Sequence, residues 1–158
     1  MPAYDPATSI TTPCPTDPDI IAVGIIGYDG VTLLDVSGPA EVLAHAGGYR
    51  ITMLSARGGT VTASNGLALA GTVPVADAPD LHTVLVPGGD LLAGSPLPAD
   101  LLSEAGDLVA RSSRVAAVCT GAFVLAELGL LDGVVRRRIG ATPRRCVGGI
   151  RACTSSPI

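Results

Sequence analysis

The sequence predicts an open, doubly wound α/β fold built on a parallel sheet. Three features carry that expectation. Residues 20–26 (IIAVGII), 83–86 (TVLV) and 115–118 (VAAV) are short, continuous apolar runs, as expected of strands covered by helices on both faces. Stretches of helical periodicity alternate with them. Each run is followed at once by a turn, and in such sheets the site lies beyond the carboxyl ends of the strands.

In chain order, residues 1–19 are rich in Pro, Thr and Asp without periodicity and read as a flexible leader. The first strand covers 20–26, and Tyr28-Asp29-Gly30 marks a turn. Ser37-Gly38-Pro39 follows, with Ser37 as N-cap and Pro39 in the first turn of a short helix over 39–46. Gly47-Gly48 stops that helix. Residues 49–55 (YRITMLS) form a second strand, and 60–63 and 67–71 a small hairpin around Asn65-Gly66.

The next buried strand, 83–86, runs into Pro87-Gly88-Gly89-Asp90. Residues 98–112 then show an amphipathic helix whose apolar face is Leu101, Leu102, Ala105, Leu108 and Val109. The last strand, 115–118, ends on Cys119. From Thr120-Gly121 a second helical pattern starts, with Phe123, Val124, Leu125, Leu128, Leu130 and Leu131 on its apolar faces.

A thiol therefore stands at a strand-to-helix turn, the placement of a nucleophile elbow with Cys in place of Ser. Gly121 lets the backbones pass closely. A helix N-terminus aimed at the sulfur favours thiolate. The competing reading is a buried cysteine that only fills space. Two other loops converge on the same edge: one carries Asp35, the other Gly88-Gly89. Backbone N–H groups of Gly89 and Thr120 can form an oxyanion hole there. Asp35 can hydrogen-bond the Cys119 sulfur and set its ionisation, although an ionised carboxylate close by disfavours thiolate. Its alternative role is to cap the following helix.

The composition sets the outer limits. The chain of 158 residues suffices for one domain, and 47% apolar against 15% charged residues describes a globular protein. No apolar run approaches a membrane span, and no basic segment followed by an apolar one opens the chain, so a cytoplasmic location is expected. Cys14, Cys119, Cys146 and Cys153 show neither zinc spacing nor a disulfide framework, and His45 and His82 are far from any of them in sequence. No metal or cofactor is expected. The charge is unevenly spread. All 14 acids lie at or before Asp132, whereas 134–158 hold six of the ten arginines and no acid.

LLDVSGPAEVL, LVPGG and AAVCTGAFVLAELGLLDG resemble the DJ-1/PfpI (class I glutamine amidotransferase-like) superfamily. They are most similar to the N-terminal sensor domain of AraC-type transcriptional regulators. The resemblance runs from about residue 20 to residue 133. It implies a site made of the elbow cysteine, the acid at Asp35 and the glycines at 88 and 89. Isonitrile hydratases, which resemble this subgroup, imply an Asp-Cys-Thr set, here Asp35, Cys119 and Thr120. In the regulators the resemblance implies a pocket that senses a small molecule, a homodimer, and a separate DNA-binding part with two helix-turn-helix units.

After Gly133 the chain departs from that pattern. The family continues roughly as RRATTHW; this chain reads VVRRRIG. Writing RRATTHW as CGT CGT GCG ACG ACG CAT TGG and deleting the first base gives GTC GTG CGA CGA CGC ATT GG, which encodes VVRRRI and opens a Gly codon. The loss of one base is thus the leading account of 134–158. A basic nucleic-acid arm is the rival, but this stretch has scattered Pro and Gly and no helix-turn-helix pattern. Three functions remain: a truncated sensor domain that binds no nucleic acid and no membrane itself, a cysteine-dependent hydratase or amidase-like enzyme, and a dimerisation module. The absence of His downstream of Cys119 removes one base from the hydrolytic option.

Overall fold

The computed structural model describes residues 20–93 and 96–132; the expected leader over 1–19 and the Arg-rich stretch over 134–158 lie outside them. The described chain runs β1 (Ile21–Ile26), α1 (Leu33–Ala46), β2 (Tyr49–Ser55), β3 (Gly59–Thr62), β4 (Ala68–Pro74), β5 (Thr83–Val86), α2 (Ala99–Ala110), β6 (Arg114–Ala117) and α3 (Ala122–Glu127). Short 3₁₀ turns cover Val75–Asp77, Asp90–Ala93 and Cys119–Gly121. The six strands form one sheet in the order β3-β4-β2-β1-β5-β6. All neighbours are parallel except the hairpin pair β3 and β4. The expected doubly wound α/β fold is what the chain adopts.

Alternation along the strands explains the layers. Ala22, Ile26, Leu54, Val84 and Val86 turn to one face and pack with Leu101, Ala105 and Leu108 of α2 and Val124 and Leu125 of α3. Ile25 and Leu85 turn to the other, where Val36 is buried and Leu33 and Ala40 of α1 pack beside it. Side chains on a strand point alternately to opposite faces, so an unbroken apolar run feeds both cores at once. The hairpin tip uses Asn65 as expected of its type: its Oδ1 accepts from the Leu67 N–H at 3.1 Å, and Gly66 takes φ 84°.

Two expectations about helix ends need correction. α1 starts at Leu33, not Pro39, and holds Pro39 inside it. Ser37 is not its N-cap; the hydroxyl donates back to the Leu33 carbonyl at 3.0 Å. Packing of Leu33, Val36 and Ala40 on the sheet outweighs the one backbone hydrogen bond that Pro39 cannot make. The pattern after Cys119 is likewise not one helix to Leu131. It opens with a 3₁₀ turn and leaves the α-helix after Glu127. Gly129 takes φ 73°. Its N–H reaches the Ala126 carbonyl at 3.1 Å, and the Leu130 N–H reaches that of Leu125 at 3.0 Å. These are the paired bonds of a Schellman cap. Leu128 and Leu131 still pack on the core from this turn, which is why the apolar periodicity outlasts the helix.

Candidate functional site

The sheet reverses its winding between β1 and β5, and ligands of such sheets bind in the crevice at that point. The loops after β1, β5 and β6 meet there. Tyr28 and, in the first turn of α1, Asp35 come from the first; Pro87, Gly88 and Gly89 from the second; Cys119 and Thr120 from the third.

Cys119 has φ 53°, and it is the one non-glycine with positive φ among the described residues. That conformation costs on the order of 1 kcal/mol or more in a non-glycine residue and persists only where the surroundings enforce it. Here they do. The Val118 N–H is held by the Val86 carbonyl at 3.0 Å, and the Gly121 N–H by that of Val118 at 2.9 Å. Gly121 lies so close to the Val86 carbonyl oxygen that a Cβ would overlap it. The chain must therefore turn sharply at residue 119, and the turn leaves the thiol exposed. Among the described residues, a cysteine that merely fills space does not describe this position.

Gly88 is needed for room rather than for backbone freedom. A Cβ there would stand 2.7 Å from Asp35 Oδ2, 2.8 Å from Cys119 Cβ and 2.9 Å from the Thr120 nitrogen. The side chains of Asp35 and Cys119 and the backbone of Thr120, all named from the sequence, thus pack around one Cα. The Gly88 N–H donates to Asp35 Oδ2 at 3.1 Å. Asp35 therefore reaches across the crevice instead of capping α1, whose N-cap residue Thr32 makes no side-chain cap bond. Among the described residues no hydrogen bond joins Asp35 to the Cys119 sulfur; the two flank Gly88.

Thr120 Oγ1 accepts from the Gly89 N–H at 2.9 Å and donates to the Gly89 carbonyl at 2.9 Å. The Gly88 carbonyl accepts from the Thr32 N–H at 2.8 Å. The Gly88 and Gly89 amides expected to bind ligand are thus engaged by site side chains. Of the donors named from the sequence, the Thr120 N–H is the one with no acceptor among the described residues.

Tyr28 is the site residue that the sequence did not single out. Its hydroxyl donates to the Pro87 carbonyl at 3.1 Å. Burial holds the phenol protonated well above its ordinary range, and the nearby Asp35 and Cys119 push the same way. An aromatic residue just after a strand carries no signal that separates such a role from core packing. Tyr28 also borders a cleft of about 490 Å³ at the carboxyl ends of β1 and β2, lined further by Asp29, Arg57, Leu91, Asp100 and Glu104. Burial, and then the charge of Asp100, raises the Glu104 carboxyl above its ordinary range. Among the described residues no three His, Cys, Asp or Glu side chains converge as a metal site would require, and no helix is long and apolar enough to cross a membrane.

Comparison with known proteins agrees with the fold. The family described as DJ-1/PfpI matches residues 21–139. An uncharacterized protein encoded in the cpoL 5′ region of Streptomyces lividans is 44% identical over 115 residues, 70% of this chain and 82% of that protein. The isonitrile hydratase of Pseudomonas putida is 35% identical over 72% of this chain and 50% of its own length. The HTH-type transcriptional regulator GbdR of Pseudomonas aeruginosa is 31% identical over 71% of this chain and 32% of its own length. A ThiJ/PfpI family protein from Pseudomonas syringae superposes with a TM-score of 0.65 at 28% identity, covering 84% of this chain and 54% of that one. The chain thus spans about half of the hydratase and about a third of the regulator.

Proposed function

The chain belongs to the DJ-1/PfpI family, and from that premise we propose that it is the small-molecule-sensing domain of an AraC-type transcriptional regulator. The observation that carries this reading is the closure of the site on itself. The Gly88 and Gly89 amides, which an acyl-transfer enzyme would keep free for a developing oxyanion, are held by Asp35 and Thr120. A crevice with a prearranged carboxylate and thiol suits recognition; the cleft of about 490 Å³ shares Tyr28 with it but is not lined by Asp35 or Cys119. The regulator among the relatives supports the assignment. In this reading DNA binding belongs to a part of the regulator outside this chain, the regulator works as a homodimer in the cytoplasm, and the domain itself contacts neither nucleic acid nor membrane. Residues 20–133 are the domain, 1–19 a leader, and 134–158 an out-of-frame continuation.

A second reading has its own observation. Cys119 is exposed on a left-handed elbow beside Asp35 and Thr120, and the isonitrile hydratase is a relative. Here the thiol would add to the isonitrile carbon, its proton passing to that same carbon to give a thioimidate. Water would then displace it, leaving oxygen on carbon and a proton on nitrogen, an N-substituted formamide. A bare dimerisation module is the third reading.

One experiment separates them. The protein is screened by thermal shift against small polar metabolites and isonitriles, with formamide formation followed in parallel for the wild type and Cys119→Ser. A saturable shift without product supports the sensor. Product that disappears in Cys119→Ser assigns the enzyme. Neither shift nor product leaves the interaction module.

A further inference from the structure

We propose that Tyr28 is a positioning residue of this site: its hydroxyl fixes the Pro87–Gly88 peptide, and the other end of that peptide holds the Asp35 carboxylate beside Cys119. The inference rests on reading Cys119 and Asp35 as one site, whether the site senses its ligand or transforms it.

The geometry is that of a lever. The carbonyl of Pro87 and the N–H of Gly88 belong to one planar unit, so neither turns without the other. Tyr28 donates to the carbonyl at 3.1 Å, and the N–H donates to Asp35 Oδ2 at 3.1 Å. That N–H is the hydrogen-bond partner of the carboxylate among the described residues. The phenol is held close: a Cβ on Gly89 would stand 2.8 Å from its oxygen and 3.2 Å from its ring. The ring itself packs with both hydrophobic cores. Phenylalanine would fill that space equally well; what the hydroxyl adds is the bond to Pro87. Without it the peptide is free to tilt about the Gly88 side, and the carboxylate follows.

The test uses the 158-residue chain and iodoacetamide, with alkylation of Cys119 followed by peptide-resolved mass spectrometry across pH. Of the titratable groups on elements packed there, Asp35 and Tyr28 face Cys119; Asp90, at the head of the adjoining 3₁₀ turn, is exposed and common to every variant. Asp35→Asn removes a negative charge beside the sulfur and displaces the profile towards faster alkylation. Tyr28→Phe moves it the same way by less, and the double variant moves no further than Asp35→Asn alone, because both act through one carboxylate. Exchange of the Gly88 amide rises about tenfold in Tyr28→Phe.

If Asp35→Asn shifts the profile while Tyr28→Phe superposes on the wild type, the role of Tyr28 is overturned and the site reading stands. Additive shifts also overturn it. If Asp35→Asn shifts nothing, the pairing of Asp35 with Cys119 fails and the proposal with it. Should Tyr28→Phe melt early, the chain labelled with 3-fluorotyrosine gives the second reading. Its more acidic phenol donates more strongly and moves the profile towards slower alkylation, and a profile that does not move overturns the proposal.

Discussion

The hydroxyl of Thr120 closes on both backbone polar groups of Gly89, accepting from the N–H and donating to the carbonyl at 2.9 Å each. These two bonds tie the loop after β5 to the turn after β6. Both belong to half-buried surroundings, and the Gly89 carbonyl receives a further bond from the Leu92 N–H at 3.0 Å. Among the described residues the N–H has no such second partner. Thr120→Val keeps the shape and leaves that donor unsatisfied, a loss of about 1–3 kcal/mol. Thr120→Ser keeps the oxygen and loses about 1 kcal/mol or less. Urea unfolding of both variants checks this; equal losses would mean that methyl packing, not the clasp, holds the loop.

Gly121 is the least replaceable glycine of the site. Gly121→Ala places a methyl group on the Val86 carbonyl oxygen, with that of Pro87 2.9 Å away. Both obstacles are backbone and cannot swing aside. A loss of about 3 kcal/mol or more is expected. Gly47→Ala is the control, since nothing stands within 4 Å of that position and only its φ of 71° resists the change. Thermal melts should rank Gly121→Ala well below Gly47→Ala; the reverse order would show that the elbow relaxes.

Tyr28 gives the protein an alkaline weakness. Its folded pKa is raised, so the folded state keeps a proton that the unfolded chain gives up near pH 10. Stability is unaffected below that pH and falls as pH rises beyond it, with a slope of about one proton. Tyr28→Phe should flatten that part of the curve. An identical alkaline slope in wild type and variant would assign the loss to other groups.

Glu104 acts at the other end of the scale. Burial and then Asp100 raise its folded pKa, so its contribution falls as pH rises from the ordinary carboxylate range through the folded value. Glu104→Gln should raise the melting temperature at pH 7 and leave it nearly unchanged near pH 3. A gain of the same size at both pH values would point to packing instead.

β6 has β5 as its one strand neighbour among the described residues, and a parallel strand of this kind is ordinarily covered on both sides. If 134–158 are out of frame, inserting one base before codon 134 lengthens the protein and raises its melting temperature, by several degrees for each kcal/mol regained. The same insertion should protect the β6 amides from exchange. A restored chain that melts no higher than this one would remove the frameshift account. The 158-residue chain by itself should not shift operator DNA specifically, since its sequence shows no helix-turn-helix pattern.

Local pattern was enough for much of this. Unbroken apolar runs gave β1, β5 and β6, and residues 49–55 and 83–86 coincide with β2 and β5; the hairpin arm read over 67–71 runs on to Pro74 as β4 and pairs parallel with β2. Strand-end loops pointed to Asp35, Gly88, Gly89 and Cys119 because the rule for doubly wound sheets depends only on strand order. Tertiary structure decided the rest. Pro39 marked a helix start by its own chemistry, yet the core drew Leu33 and Val36 into the helix before it. Gly129 ended α3 while Leu128 and Leu131 kept the apolar rhythm going. The bonds that assemble the site join residues 31, 53 and 59 positions apart. Periodicity reports which face of an element is buried, and it holds no record of which hydroxyl meets which carbonyl across the crevice. That pairing exists only once β1, β5 and β6 lie side by side, and it turned Tyr28 from a turn residue into a part of the site.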